Sequence, residues 1–169
     1  LNEIFRFMVD PIMTKKERTE DIKPLLVDLF NNYTKLLLLV NIIMIGIYYL
    51  LSTFLLPNNF EGLNLFIPFL FFSNFLNVLI NYFILINNLF YKTINNFIAF
   101  FIGLIIFLVS FYFLGLSILN LLISLLLFYI STYIAIFFLS QRIFFLKYNF
   151  YYLYISLTIL IFFLVSNVS

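Results

Sequence analysis

Cysteine, histidine and tryptophan are absent from the 169-residue chain, alanine occurs only at Ala99 and Ala135, and charged residues make up 9% of it. Each absence closes a class of chemistry. Without cysteine there is no disulfide and no thiolate. Without histidine there is no imidazole metal site, no histidine-ligated haem and no usual general base. Glycine-rich phosphate loops, paired carboxylates and nucleophile–base arrangements are missing too. No catalytic residue and no metal site is therefore expected of the chain, and no cofactor bound by it alone.

What is present is apolar. The chain is 65% hydrophobic with mean hydropathy +1.16, whereas soluble domains carry charge on about a quarter of their residues. The expected fold is all-α, a polytopic integral membrane bundle of about five transmembrane helices behind an amphipathic N-terminal segment, with lipid contacts and no nucleic-acid partner. Phe, Leu, Ile, Asn and Tyr dominate, all residues with AT-rich codons, which points to an AT-rich genome such as that of an organelle or a reduced endosymbiont.

The small net charge of +2 hides a strong asymmetry: six of the seven acids and six of the nine bases fall within residues 1–35. Beyond Lys35 only Glu61, Lys92, Arg142 and Lys147 are charged. The organisation read from this is a charged and amphipathic tail over 1–35 and a transmembrane domain over 36–169. The tail mixes acids with bases and has no apolar core leading to small residues, so it does not read as a cleavable signal or transit peptide.

A span needs about 20 apolar residues. Spans are predicted near 36–56, 63–86, 97–114, 118–139 and 150–165, with the polar stretch Asn87 to Asn96 after the second and Pro68 in its first turns, where a missing amide hydrogen costs least. Residues 97–140 as one helix would run roughly 66 Å, so a turn is placed around Gly115 to Asn120. Five spans put all nine basic residues on one face of the membrane, the non-translocated one. Glu61 is then a solvated loop residue on the other face.

Within the tail, Thr14 and Glu17 have capping-box spacing, and Pro24 suits a first helical position. Leu25, Leu26, Leu29, Phe30 and Tyr33 share a face opposite Asp28, Asn31 and Asn32. This reads as an amphipathic helix at the membrane interface leading into the first span, either as a solvated tail or as a dock for a neighbouring subunit.

None of the five predicted spans contains Asp, Glu, Lys, Arg or His, so a self-contained pump or coupled transporter is not expected. Two polar patterns remain. Small residues recur every seven positions at Gly103, Ser110, Ser117, Ser124 and Ser131, a helix-packing stripe. Asn74, Asn77 and Asn81 lie on one helical face, with Asn41 and Asn120 as candidate partners. They are read as helix-packing glue, the alternative being a lining for quinone, ion or water.

In composition the whole chain resembles mitochondrially encoded membrane proteins of ciliates and similar protists. Its length and five spans are similar to NADH dehydrogenase subunit 6, whose third-span Tyr-Val-Gly-Ala-like element has its nearest match in FIGLIIFLVSF, residues 101 to 111, through Gly103. The acidic residue that family often has nearby has no counterpart. The resemblance implies a structural or divergent membrane subunit of a respiratory-chain electron-transport complex, non-catalytic within an oxidoreductase, packed against other subunits. It also implies a multi-pass protein of the mitochondrial inner membrane with its N-terminus on the matrix side. The alternative is a small oligomeric permease or channel component. A membrane anchor of succinate dehydrogenase is disfavoured by the missing haem-ligating histidine.

Overall fold

The structure is a computed structural model. It describes residues 19–54, 61–144, 148 and 150–168, with side chains placed for 23–51, 66–142, 148 and 150–163. Five helices and no strand occur among them: α1 (Thr19–Phe54), α2 (Glu61–Leu89), α3 (Thr93–Leu114), α4 (Ile118–Phe144) and α5 (Tyr151–Val168). Four stretches, Lys23–Leu51, Phe66–Leu89, Thr93–Leu114 and Ile118–Arg142, are long and apolar enough to cross a membrane, and the apolar helix Tyr151–Phe163 is shorter. The protein is thus a membrane-embedded helical bundle. Thr14, Glu17 and Pro57 lie outside the described residues.

The helices run alternately up and down. The most extensive packing is α3 on α4, followed by α4 on α2; α5 packs on both α1 and α2, and the direct α2–α3 and α1–α2 contacts are slight. The lateral order is therefore α3–α4–α2–α5–α1, and the two outer helices are α3 and α1. Hydrophobic sorting between water and protein does not organise such a bundle, because lipid is as apolar as leucine. Van der Waals packing and interhelical hydrogen bonds do.

The 36 residues of α1 span roughly 54 Å, well beyond the hydrocarbon core of about 30 Å. Its N-terminal part is amphipathic, but the apolar face turns into the bundle instead of towards a lipid interface, and no break separates it from the span. Leu26 and Phe30 are buried. Pro24 sits inside the helix, not at its first position, so its missing amide removes one bond near the start of the ladder.

Phe30 is the centre of an aromatic core. Its ring lies 4.5 Å from that of Tyr148, 5.1 Å from Tyr82, 6.0 Å from Phe150 and 6.2 Å from Phe83. Phe83 in turn meets Phe137 of α4 at 5.7 Å. Tilted and edge-on pairs at these separations each contribute about 0.5–1.5 kcal/mol beyond area burial. The tyrosines also lock helix to helix: Tyr82 Oη donates to the Leu26 carbonyl at 2.8 Å and Tyr33 Oη to the Val78 carbonyl at 3.2 Å. At the far end of α1, a second set joins Tyr48, Phe71 and Phe163, with Tyr48 and Phe163 5.5 Å apart.

Candidate functional site

The polar stretch between the second and third spans is not a loop. Helix α2 continues through Asn87 and Asn88, α3 starts at Thr93, and only Phe90, Tyr91 and Lys92 join them. Tyr91 takes the left-handed conformation, φ 57°. Around it the Lys92 amide donates to the Asn87 carbonyl at 2.7 Å and the Tyr91 amide to the Asn88 carbonyl at 3.2 Å. These paired bonds close the end of a helix by satisfying its last carbonyls. Glycine is the usual occupant of such a position because it has no Cβ.

The tight reversal brings Asn87 and Asn88 opposite Asn96. Asn87 Nδ2 donates to Asn96 Oδ1 at 2.8 Å, and Asn96 Nδ2 donates to Asn88 Oδ1 at 2.9 Å. Ser140 of α4 completes the relay, its Oγ donating to Asn87 Oδ1 at 3.0 Å. Asn87 and Ser140 are both buried, so three helices are tied at one amide. Sequence reading missed this centre. The available signal was the repeated pair Asn87-Asn88 and Asn95-Asn96 bracketing six residues.

Packing of α3 on α4 rests on a second feature. The buried residues of α3 are Asn95, Ala99 and Gly103, four apart and therefore one helical stripe. A Cβ added to Gly103 would overlap Thr132 Oγ1 and come within 3.1 Å of the Phe128 ring. Glycine is required here by close approach. The fully buried Thr132 hydroxyl has no hydrogen-bond partner and takes up the space that a Gly103 side chain would need.

The seven-residue stripe does not form one surface. Gly103 is seated against α4 as described. Ser110 is half-buried and bonds the Phe107 carbonyl of its own helix at 3.0 Å, as Ser131 bonds that of Leu127 at 2.7 Å. Ser117 is exposed and caps α4, its Oγ accepting from the Asn120 amide at 3.1 Å. Ser124 is fully buried, its hydroxyl without a hydrogen-bond partner. The break between α3 and α4 falls at Gly115, φ 86°, and Asn120 Nδ2 closes it onto the Leu114 carbonyl.

Asn74, Asn77 and Asn81 lie outside the buried relay. Asn74 is exposed on the surface of α2, and Asn77 and Asn81 are half-buried. Neither expected partner answers them: Asn120 is engaged at its own turn, and the Asn41 Nδ2 is buried without a hydrogen bond. Glu61, read as a loop residue, is the first residue of α2.

At the end of the bundle that holds the relay lie the exposed Lys23 of α1, Lys92 before α3 and Arg142 of α4, while the exposed Lys35 lies further along α1, beyond Tyr33, whose Oη reaches the Val78 carbonyl. The Lys35 ammonium sits 5.0 Å from the Tyr152 ring centroid, a cation–π contact between the outer helix α1 and α5. Burial pushes the phenol of Tyr148, between α4 and α5, well above its ordinary value. Chemically, the relay consists of amides and hydroxyls, which neither gain nor lose a proton near neutral pH. Its capacity is to orient helices. Among the described residues no three His, Cys, Asp or Glu side chains gather as a metal site. No protein-family model, curated protein or solved structure matches the chain.

Proposed function

We propose that the chain is a structural subunit of a larger membrane complex, and specifically a divergent subunit of a mitochondrial respiratory-chain complex, which supplies helix surface while its partners supply the redox chemistry. The observation that carries this reading is Asn74, exposed on α2 at a position inside the Phe66–Leu89 span. An amide facing hydrocarbon is unfavourable unless it finds a polar partner, and the five helices of this chain offer it none of the expected ones. A neighbouring subunit would supply that partner.

Two further features support it. Helix α3 has the highest mean hydropathy of the candidate spans, 2.8, and exposes Phe97, Phe101, Tyr112 and Phe113 on the surface away from its seat. The interior between α1, α2, α4 and α5 is filled with aromatic rings, which suits a rigid packing element. The respiratory-chain assignment rests on the compositional resemblance and on Gly103 within residues 101–111. In that setting the basic end faces the matrix, by the bias of Lys and Arg towards the non-translocated side.

Mild-detergent purification tests the proposal. Co-migration of the chain with other subunits and with haem, flavin or iron–sulfur absorbance supports it. An isolated homo-oligomer that conducts ions or transports solute would replace it with the permease reading, in which the Asn74 face lines the path.

A further inference from the structure

We infer, resting on the subunit reading above, that the outer face of α1 docks a transmembrane helix of a neighbouring subunit, and that a carboxylate on that helix meets Lys35 inside the membrane. This contact lies on a different helix from Asn74.

Contacts across the bundle set the depth of Lys35. Helix α3 has 22 residues, roughly 33 Å, which matches a hydrocarbon core of about 30 Å and puts Gly103, halfway along, at mid-depth. Gly103 abuts Phe128 and Thr132 of α4. Helix α4 runs beside α2 in the register of Ser140 on Asn87, 53 positions apart, which carries residues 128–132 onto 75–79. That stretch includes Val78, whose carbonyl accepts from Tyr33 Oη. Lys35 follows Tyr33 on α1 by about 3 Å, so its backbone lies near the middle of the bilayer. The predicted first span, 36–56, left this cation at its edge; in the structure the apolar stretch is Lys23–Leu51, and Lys35 is inside it.

The residue stands on a continuous outward face. At about 100° per residue, Asp28, Asn32, Lys35, Leu39, Ile42 and Gly46 fall within about 40° of one azimuth, opposite the buried Leu26, Phe30 and Leu37. All six are exposed. The Lys35 ammonium bends round to the Tyr152 ring at 5.0 Å, but a cation–π contact offsets only part of the cost of a charge at this depth. Asp28, the one acid with a placed side chain, is two turns away along α1, about 10 Å, too far for an ion pair. A Cβ built on Gly46 meets nothing within 4 Å, so packing within the chain does not call for glycine there. A partner helix gains from it, because small residues let two backbones approach closely.

Charge and depth together select the occupant. Lipid phosphates lie at the membrane surfaces, about 15 Å from mid-depth. A second copy related by an axis along the membrane normal would set Lys35 level with Lys35. A helix carrying Asp or Glu at mid-depth neutralises the cation, and intramembrane charges are stable when paired in this way.

Treatment of membranes with dicyclohexylcarbodiimide, an apolar reagent that joins an amine to a carboxylate as an amide, tests the contact by mass spectrometry of the digest. The expected product couples Lys35 to an Asp or Glu within a span of a different protein. Native electrophoresis in mild detergent gives the second readout. Lys35→Met strands the partner's carboxylate and is expected to lower the ratio of complexed to free chain by roughly thirty-fold or more, whereas Lys35→Arg keeps the charge and holds the complex. Tyr152→Leu, which removes the ring beside the ammonium, is expected to hold it as well. Coupling of Lys35 to a second copy of this chain or to no protein, an equal loss in Tyr152→Leu, or a Lys35→Met complex as abundant as the parent's overturns the docking and leaves the subunit reading standing. A parent chain that migrates alone overturns both.

Discussion

Ser140 and Asn87, 53 residues apart in sequence, meet through a 3.0 Å hydrogen bond in the buried interior. This contact joins α4 to the α2–α3 hairpin, and Asn87 simultaneously holds Asn96 at 2.8 Å. Replacing Asn87 with Ala leaves the buried Ser140 hydroxyl without its acceptor and the half-buried Asn96 Oδ1 without its donor, at a cost of about 1–3 kcal/mol. Ser140→Ala removes one bond and costs less. A double-mutant cycle on the pair, read by detergent-denaturation curves followed by circular dichroism, is expected to give a coupling of about 0.6–1.7 kcal/mol. Additive losses would remove the relay from the account.

Gly103 gives a second prediction. Gly103→Ala drives a methyl group into Thr132 Oγ1 and against the Phe128 ring, so α3 must back away from α4. Overpacking of this kind costs about 1–3 kcal/mol. Adding Thr132→Ala removes the first obstacle and is expected to recover part of the loss, while Thr132→Ser, which keeps the hydroxyl, recovers less. The same denaturation curves check the order.

Tyr91 predicts a gain. Its left-handed backbone is unfavourable for a side chain that carries a Cβ, and the residue is 78% exposed. Tyr91→Gly is expected to stabilise the α2–α3 connection by about 1 kcal/mol. Hydrogen exchange at the Lys92 amide, which closes the cap, should slow accordingly.

Phe30 tests whether the N-terminal part of α1 belongs to the bundle. Phe30→Ala empties a site surrounded by Tyr82, Phe83, Tyr148 and Phe150, and truncations of this kind cost about 3–5 kcal/mol. Tyr82→Phe, which keeps the ring and removes the bond to Leu26, is expected to cost about 0.5–1.5 kcal/mol. A Phe30→Ala protein as stable as the parent would place this segment on the membrane surface instead.

The helical membrane class was legible because length and apolarity alone decide it: 65% hydrophobic composition leaves little else. The break near Gly115 was legible too, since residues 97–140 are too long for one span and glycine marks a positive φ. The role of residues 25–33 was harder, because an interfacial helix and a bundle helix need the same apolar stripe. Only the rings opposite Phe30 distinguish them. The seven-residue small stripe packs only in part, through the buried Gly103 and Ser124, because an α-helix drifts by about 20° per heptad and the pattern crosses the turn at Gly115. Four-residue spacing through Asn95, Ala99 and Gly103 is the one that packs.

Asn74 and Asn87 show where sequence reading reaches its limit. Both are amides in an apolar helix, 13 residues apart, and nothing local separates them. In a soluble helix the polar face marks the outside, but in lipid both faces are apolar and that signal is lost. Asn87 turns inward because the three-residue connection folds α3 back beside it. Asn74 has no such neighbour and stays on the surface.

The central claim is that another subunit covers the Asn74 face. Native electrophoresis of membranes solubilised in mild detergent, comparing the parent chain with Asn74→Leu, tests it most directly. The account predicts that the parent migrates in a large complex with other subunits and redox absorbance, and that Asn74→Leu shifts the chain towards the free form while its helical signal stays unchanged. A parent chain that migrates alone, or as a homo-oligomer unaffected by Asn74→Leu, would contradict it.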